Sequence, residues 1–261
     1  MKKGLLRVVQ VALVAALAVS LFVIGRQAYD GWRNRQDSEE AAQLAGLAGD
    51  GPREDVPETE QGPVLPEEAA DLASVDLEAL QEVNGDVAGW IAIPGTEVSY
   101  PLMHGEDNQA YLYTSWKGES SRSGSVFLES TNRPDLTDFH TIVYGHRMRN
   151  NSMFGSLKYY RDQEYWAAHP NVYVVLEGGR IRRYEIFSAH QVSVRGVVYR
   201  LDLRESELEG EFLQACLENS AIDTGVVPEE TDQFLTLSTC TGNGYSRRWV
   251  VHAVFREEYQ T

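Results

Sequence analysis

The chain has 261 residues, with 23 Lys plus Arg, 39 Asp plus Glu and two cysteines. That length holds one domain of about 150–200 residues with appendages, enough to bury a sizeable core. A net charge of −16 makes the chain a poor candidate for binding a nucleic-acid phosphate backbone, which needs a basic face. Two cysteines build neither a disulfide scaffold nor a four-thiolate zinc site.

The charge is unevenly placed. Residues 1–35 carry Lys2, Lys3, Arg7, Arg26, Arg33 and Arg35 against Asp30 alone. A basic start (residues 1–7) precedes an apolar run from Val8 to Ile24 that only Gln10 and Ser20 interrupt. As a helix this run extends roughly 26 Å, near the lower limit for crossing a bilayer. The expectation is a retained single-pass membrane anchor over residues 8–24. The rival, a cleaved signal peptide, lacks support because GRQAYDGWRNRQ after Ile24 contains no small-x-small cleavage pattern. Lys2, Lys3 and Arg7 favour a cytoplasmic N-terminus and an extracellular body.

Residues 25–66, which include GDGPREDVPETEQGPVLPEE, read as an acidic, flexible tether with too little apolar surface to offset ordering. Over residues 67–84, Leu72, Val75, Leu77, Leu80 and Val83 recur at roughly helical spacing. They predict an N-terminal helix packed on the domain that follows.

From residue 85 to 261 the pattern changes to short strands between turns. WIAI (90–93), EVSYPL (97–102), GSVFLE (124–129), HTIVYGH (140–146), a hairpin over 171–194 turning at Gly178-Gly179, FLTLSTC (234–240) and RRWVVHAVF (247–255) make eight. That number and spacing predict a mainly β sandwich or barrel. One helix interrupts them at 205–220, where Leu208, Phe212, Ala215, Cys216 and Leu217 form an apolar face.

Cys240 is the candidate nucleophile, ending an apolar strand. A thiol is a strong nucleophile only with a base or cation beside it, because the thiolate is the reactive form. His146 also ends an apolar strand, and two strand ends of one barrel can meet at a rim. Arg248 follows Cys240 by eight residues, and an antiparallel return would bring its guanidinium beside the sulfur. Nucleophile, acid/base and cation are the three roles that acyl transfer needs. Each has an ordinary alternative: a buried thiol, a turn histidine, a solvated arginine. Arg247 is equally available, although alternation sets Arg248 on the face of Val250, His252 and Val254 and Arg247 on that of Trp249 and Val251.

TLSTC followed by RRWVV, and preceded by a strand ending YGH, resembles the sortases, the membrane-anchored cysteine transpeptidases of Gram-positive bacteria. GWIAIPGTEVSYPL, EDNQAYL, GSVFLE, TIVYGHRM and TLSTC follow the order of class B over about 170 residues, and the helix at 205–220 resembles the one that class B inserts there. The resemblance implies an eight-stranded sortase-type β-barrel. It makes Cys240 the nucleophile on the threonyl carbonyl of a sorting signal, His146 the acid and then base, and Arg248 the holder of substrate and oxyanion. It implies Asn108, Leu112, Tyr144 and Ser238 as groove-lining residues. The partners it implies are surface proteins with an N-P-x-T-like signal and an amine acceptor from cell-wall peptide or a pilin lysine. Some class B relatives carry an acid after the cysteine; this chain has Thr241.

No cofactor is expected. His104, His140, His169, His190 and His252 show no ligand spacing, so no metal is expected either, and the acidic pairs Glu229–Glu230 and Asp135–Asp138 read as solvated. Cys216 reads as core filling, with a Cys216–Cys240 disulfide as the alternative. Two other functions stand beside transpeptidation. One is a surface thiol protease that transfers to water. The other is a non-catalytic tethered binding module, for which a retained Cys, His and Arg would be unneeded.

Overall fold

The computed structural model describes residues 2–47, 63–240 and 246–261, with side chains from residue 7 onward and excepting that of Cys240. Helix α1 (Lys2–Leu44) leads to a 3₁₀ turn at Glu67–Ser74 and helix α2 (Leu77–Val83). Strands β1 (Val87–Ala92), β2 (Ser99–Met103), β3 (Val126–Leu128) and β4 (His140–Tyr144) follow. After helix α3 (Gln163–Ala168) come β5 (Asn171–Leu176), β6 (Arg180–Ser193), helix α4 (Glu209–Glu218), β7 (Phe234–Cys240) and β8 (Arg247–Gln260).

The eight strands close into a barrel in the order β1-β2-β3-β4-β7-β8-β6-β5. Two pairings, β2 with β3 and β4 with β7, are parallel; the other neighbours run antiparallel. Strands β4 and β5 are buried along both faces, which their Val, Ile, Thr and Tyr residues suit. Side chains pointing inward, among them Ile91, Leu102, Val143, Val174, Leu237 and Val251, make the barrel core. Outside β6, β7 and β8, Phe212 and Cys216 of α4 pack on Phe187, Phe234, Val250 and Val254. Gly178 and Gly179 turn the β5–β6 hairpin with φ of 77° and 73°, which glycine adopts without a Cβ penalty.

Three expected boundaries move. The sequence predicts one helix over 67–84, but a 3₁₀ turn breaks off at Val75 and Asp76 restarts the chain as the cap of α2, its Oδ1 accepting from Ala79 N at 3.0 Å. The helix expected at 205–220 begins at Glu209, because Glu207 takes φ 55° and Leu208 N bonds Leu203 O. The third change is the largest. Residues 25–44, read as part of a tether, continue α1 without a break. Their composition is polar, but the barrel supplies partners. Asn34 is buried, donating to Ser152 Oγ at 3.0 Å and accepting from Ser123 Oγ at 2.8 Å. Trp116 Nε1 donates to Asp37 O, and Ala41 and Ala45 pack with Leu72 and Leu80. The remaining tether residues 48–62 lie outside the described residues. Upstream of the docked part, residues 8–24 present their apolar side chains to the outside, and α1 is long and apolar enough to cross a membrane.

The sheet face beneath α4 holds a buried polar chain. His140 Nε2 and His252 Nδ1 each lie 2.8 Å from Thr236 Oγ1, and the rings of His190 and His252 are 5.0 Å apart. Burial drives the His140 and His190 imidazoles down to about 4, and His252 is lowered by burial and by its two histidine neighbours. A histidine kept neutral in the fold protonates in the unfolded chain near pH 6.5. The stability it contributes is therefore present above pH 6.5 and is lost as pH falls from there toward 4. His140 and His190 should each cost about 2 kcal/mol by pH 5. Urea unfolding at pH 7 and pH 5 checks this: His190→Gln should cut the difference by about a third, since three buried histidines share it, and an unchanged difference would assign it elsewhere.

Candidate active site

The parallel ladder aligns Ile142 with Thr236 and Tyr144 with Ser238. It runs one step further, Gly145 N donating to Ser238 O at 3.2 Å. His146 stands two residues past Tyr144, as Cys240 stands two past Ser238. On the other side of β7 the antiparallel ladder sets Cys240 directly opposite Arg248. Backbone register thus brings the ends of β4 and β7 and the start of β8 to one rim. Trp249 and Val251 face the barrel core, whereas Val250 and Val254 lie under α4. By the two-residue period of a strand, Arg248 belongs to the outer face and Arg247 to the inner one. Thr241 lies outside the described residues.

The β4 strand leaves the barrel through Gly145, where a Cβ would come within 2.7 Å of the Phe154 ring. Phe154 N then donates to His146 O at 3.0 Å, fixing the backbone of the histidine. The imidazole is half-buried; its Nε2 is 2.7 Å from the carbonyl oxygen of Leu112 and its ring 5.6 Å from that of Tyr113. A carbonyl only accepts, so Nε2 carries the hydrogen and Nδ1 is the nitrogen left to exchange a proton. Leu112 therefore bears on the site first through its backbone. Its side chain packs, with that of Tyr144, against the cluster holding Phe127 and Trp116.

Asn108 reaches the same wall. Its Nδ2 donates to Glu129 Oε1 at 2.6 Å and its Oδ1 accepts from Ser130 N at 2.8 Å. Glu129 also accepts from the Tyr144 hydroxyl at 2.8 Å. Burial and the Glu129 carboxylate raise the Tyr144 phenol well above its usual range, and the Arg248 charge pulls the other way. Ser238 is buried, its hydroxyl 2.7 Å from that of Tyr199. Glu129 and Tyr199 are the two site-supporting residues that the sequence did not single out. An ionisable residue closing the apolar strand GSVFLE was a usable signal for Glu129. Tyr199 comes from a 3₁₀ turn after β6, with no local signal. Asp135 and Asp138, read as solvated, serve turns: Asp135 meets Arg133 and Thr137, and Asp138 accepts from Asn132.

Comparison with known proteins bears on the same region. The sequence model of the Sortase domain matches residues 91–256. Sortase B of Listeria monocytogenes is 33% identical over 165 residues, 63% of this chain and 67% of that protein. Sortase B of Staphylococcus aureus is 30% identical over 164 residues, with the same two shares. Among solved structures, a Staphylococcus aureus sortase B–substrate complex superposes with a TM-score of 0.71 at 25% identity, covering 88% of this chain and 99% of that one. The X-ray structure of Clostridium perfringens sortase B gives 0.61 at 30% identity, covering 70% and 100%.

Glu129 ties two wall residues together, so its loss should be felt as stability. Glu129→Leu leaves Asn108 Nδ2 and the Tyr144 hydroxyl without their acceptor, a cost of about 2–4 kcal/mol. Glu129→Gln keeps one oxygen and should cost less than half as much. Chemical denaturation of both variants measures the two values, and equal losses would mean that the contacts matter only through packing.

Proposed function

The chain belongs to the sortase family, and from that premise we propose that Cys240 is its nucleophile, His146 its acid and base, and Arg248 its oxyanion-holding cation. The chain is a cysteine transpeptidase of the sortase B type that anchors proteins to the cell wall. What supports the residue assignment is the ladder in which Cys240 faces Arg248 while Tyr144 faces Ser238.

In this reading the Cys240 thiolate attacks the threonyl carbonyl of a sorting signal, and the carbon–nitrogen bond to the next residue breaks. His146 holds on Nδ1 the proton lost by the Cys240 thiol and gives it to the departing amine, while Nε2 stays bonded to Leu112 O. The same nitrogen then takes a proton from the incoming amine, which displaces the Cys240 thiolate from the thioester. Arg248 supplies paired donors to the carbonyl oxygen as it becomes negative, which a lysine cannot match. Asn108, Leu112 and Tyr144 form the groove wall, and Ser238, joined to Tyr199, braces it from beneath. The signal is of the N-P-x-T type, and the acceptor is a cell-wall peptide amine or a pilin lysine.

The catalytic domain spans residues 85–261 and rests on the packed segment 67–84. Residues 8–24 are the membrane anchor, with the basic residues 1–7 in the cytoplasm and the barrel outside. In α1 the chain offers one candidate span of this kind among the described residues.

Kinetics on one sorting-signal peptide with an amine acceptor test the assignment. Losing a preorganised oxyanion donor costs about 10²–10³ in rate. Arg248→Ala and Arg248→Lys should each lose at least about a hundredfold in kcat/KM, and Arg247→Ala less than about tenfold. Cys240→Ala should form no thioacyl-enzyme, whereas Cys216→Ala should turn over. If Arg247→Ala is the inactive variant, the arginine assignment is overturned.

A further inference from the structure

Helix α1 carries the chain out of its apolar run and onto the barrel with no intervening loop. Between the two it forms one wall of a groove. Trp32, Arg35 and Asp30 come from α1; Arg122, Arg147 and Arg149 come from the barrel loops opposite. Four arginines against one aspartate is a local reversal of sign in a chain whose net charge is −16. The groove is held in shape by direct contacts: Arg122 lies 3.5 Å from Asp30, and Asn34 is clamped by Ser123 and Ser152.

Helical rise fixes the height of this groove above the apolar run. At 1.5 Å per residue, Gln27 is about 4–5 Å beyond Ile24 and Arg35 about 16 Å. The polar layer on each side of a bilayer is about 5–8 Å thick, and charges act across about 8 Å of physiological salt. The groove therefore begins within the headgroup layer at Gln27 and ends, at Arg35, about one screening length beyond it. An independent feature marks the same level. Tyr29 and Trp32, 56% and 54% exposed, stand about one and a half and two turns past the apolar run, on the side of it where aromatic belts sit.

We propose that this groove holds the headgroup of an anionic phospholipid and so seats the barrel on the membrane. The proposal rests on the reading of α1 as the membrane anchor. Charge complementarity selects the lipid: each arginine near an anionic surface strengthens binding about fivefold. A neutral zwitterionic headgroup offers no such gain. Because Arg147 follows His146 directly in sequence, the seat sets the rim of the candidate active site beside the lipid surface.

The test uses the full-length protein reconstituted in vesicles of equal phosphatidylcholine and phosphatidylglycerol, with lipid retained after detergent extraction counted by native mass spectrometry. Phosphatidylglycerol should be retained at least about fivefold over phosphatidylcholine. The double variant Arg35→Gln/Arg149→Gln should bring the ratio to within about twofold, and Arg35→Lys/Arg149→Lys should keep most of it. Equal retention of both lipids by the unaltered chain, or an unchanged ratio in the glutamine variant, would overturn the proposal. So would displacement by soluble glycerol phosphate, which marks a free phosphate site instead. Carbonate washing of the vesicles isolates the premise. Release of the chain overturns the anchor reading itself, whereas a retained chain without lipid preference overturns only the headgroup seat.

Discussion

Everything at the rim follows from the parallel pairing of β4 with β7. The two strands are joined by some ninety residues of intervening chain, which is what a parallel neighbour requires in place of a tight hairpin. Because both strands run the same way, their C-terminal ends emerge together, and His146 and Cys240 each follow the last aligned pair, Tyr144 and Ser238, by two residues. The antiparallel return of β8 then sets Arg248 opposite Cys240. A parallel pair followed by an antiparallel one is the minimal sheet arrangement that collects these three positions.

Such a pairing needs its register fixed, because a slip of one residue exchanges the two faces of a strand. In β7 that slip would drive Thr236 and Ser238 into the barrel core and turn Leu235 and Leu237 out. Two polar contacts oppose it. Thr236 is bonded between His140 and His252, and Ser238 is bonded to Tyr199. The polar face under α4 thus sits two steps below Cys240 on the same strand. Buried hydroxyls that are hydrogen-bonded, as those of Thr236 and Ser238 are, specify one arrangement where apolar packing alone tolerates several. Burial that keeps the histidines neutral is also what makes the fold sensitive to acid.

Much of this was legible in the sequence. The eight strands and the inserted helix follow from period and turn residues, and the proposed set of Cys240, His146 and Arg248 is read from strand ends and motif order. The proposed groove roles of Asn108 and Tyr144 come from resemblance alone, and the carboxylate that joins the two side chains, Glu129, emerges only when the loop after β2 folds back on the end of β3. Residues 25–44 were misleading for a physical reason. Their acidic and polar content is what a solvated tether shows, but Asn34, Asp37 and Glu40 find partners on the barrel at Ser152, Trp116 and Lys117. Local composition reports the entropy to be offset, not the tertiary partners that offset it. The early start of a helix at 205 failed similarly, since the left-handed Glu207 has no sequence marker.

The central claim is that one of the two thiols, at the rim, is the reacting group. Cys216 is buried on the inner face of α4, and burial pushes its thiol well above the ordinary range, so it is inert toward an electrophile. The most direct measurement is peptide mapping by mass spectrometry after treating the folded protein with a sorting-signal analogue that carries a thiol-reactive group at the threonyl carbon. The account predicts a single adduct on Cys240 and an unmodified Cys216. An adduct on Cys216, or none on Cys240 under conditions where the unmodified peptide is turned over, would contradict it.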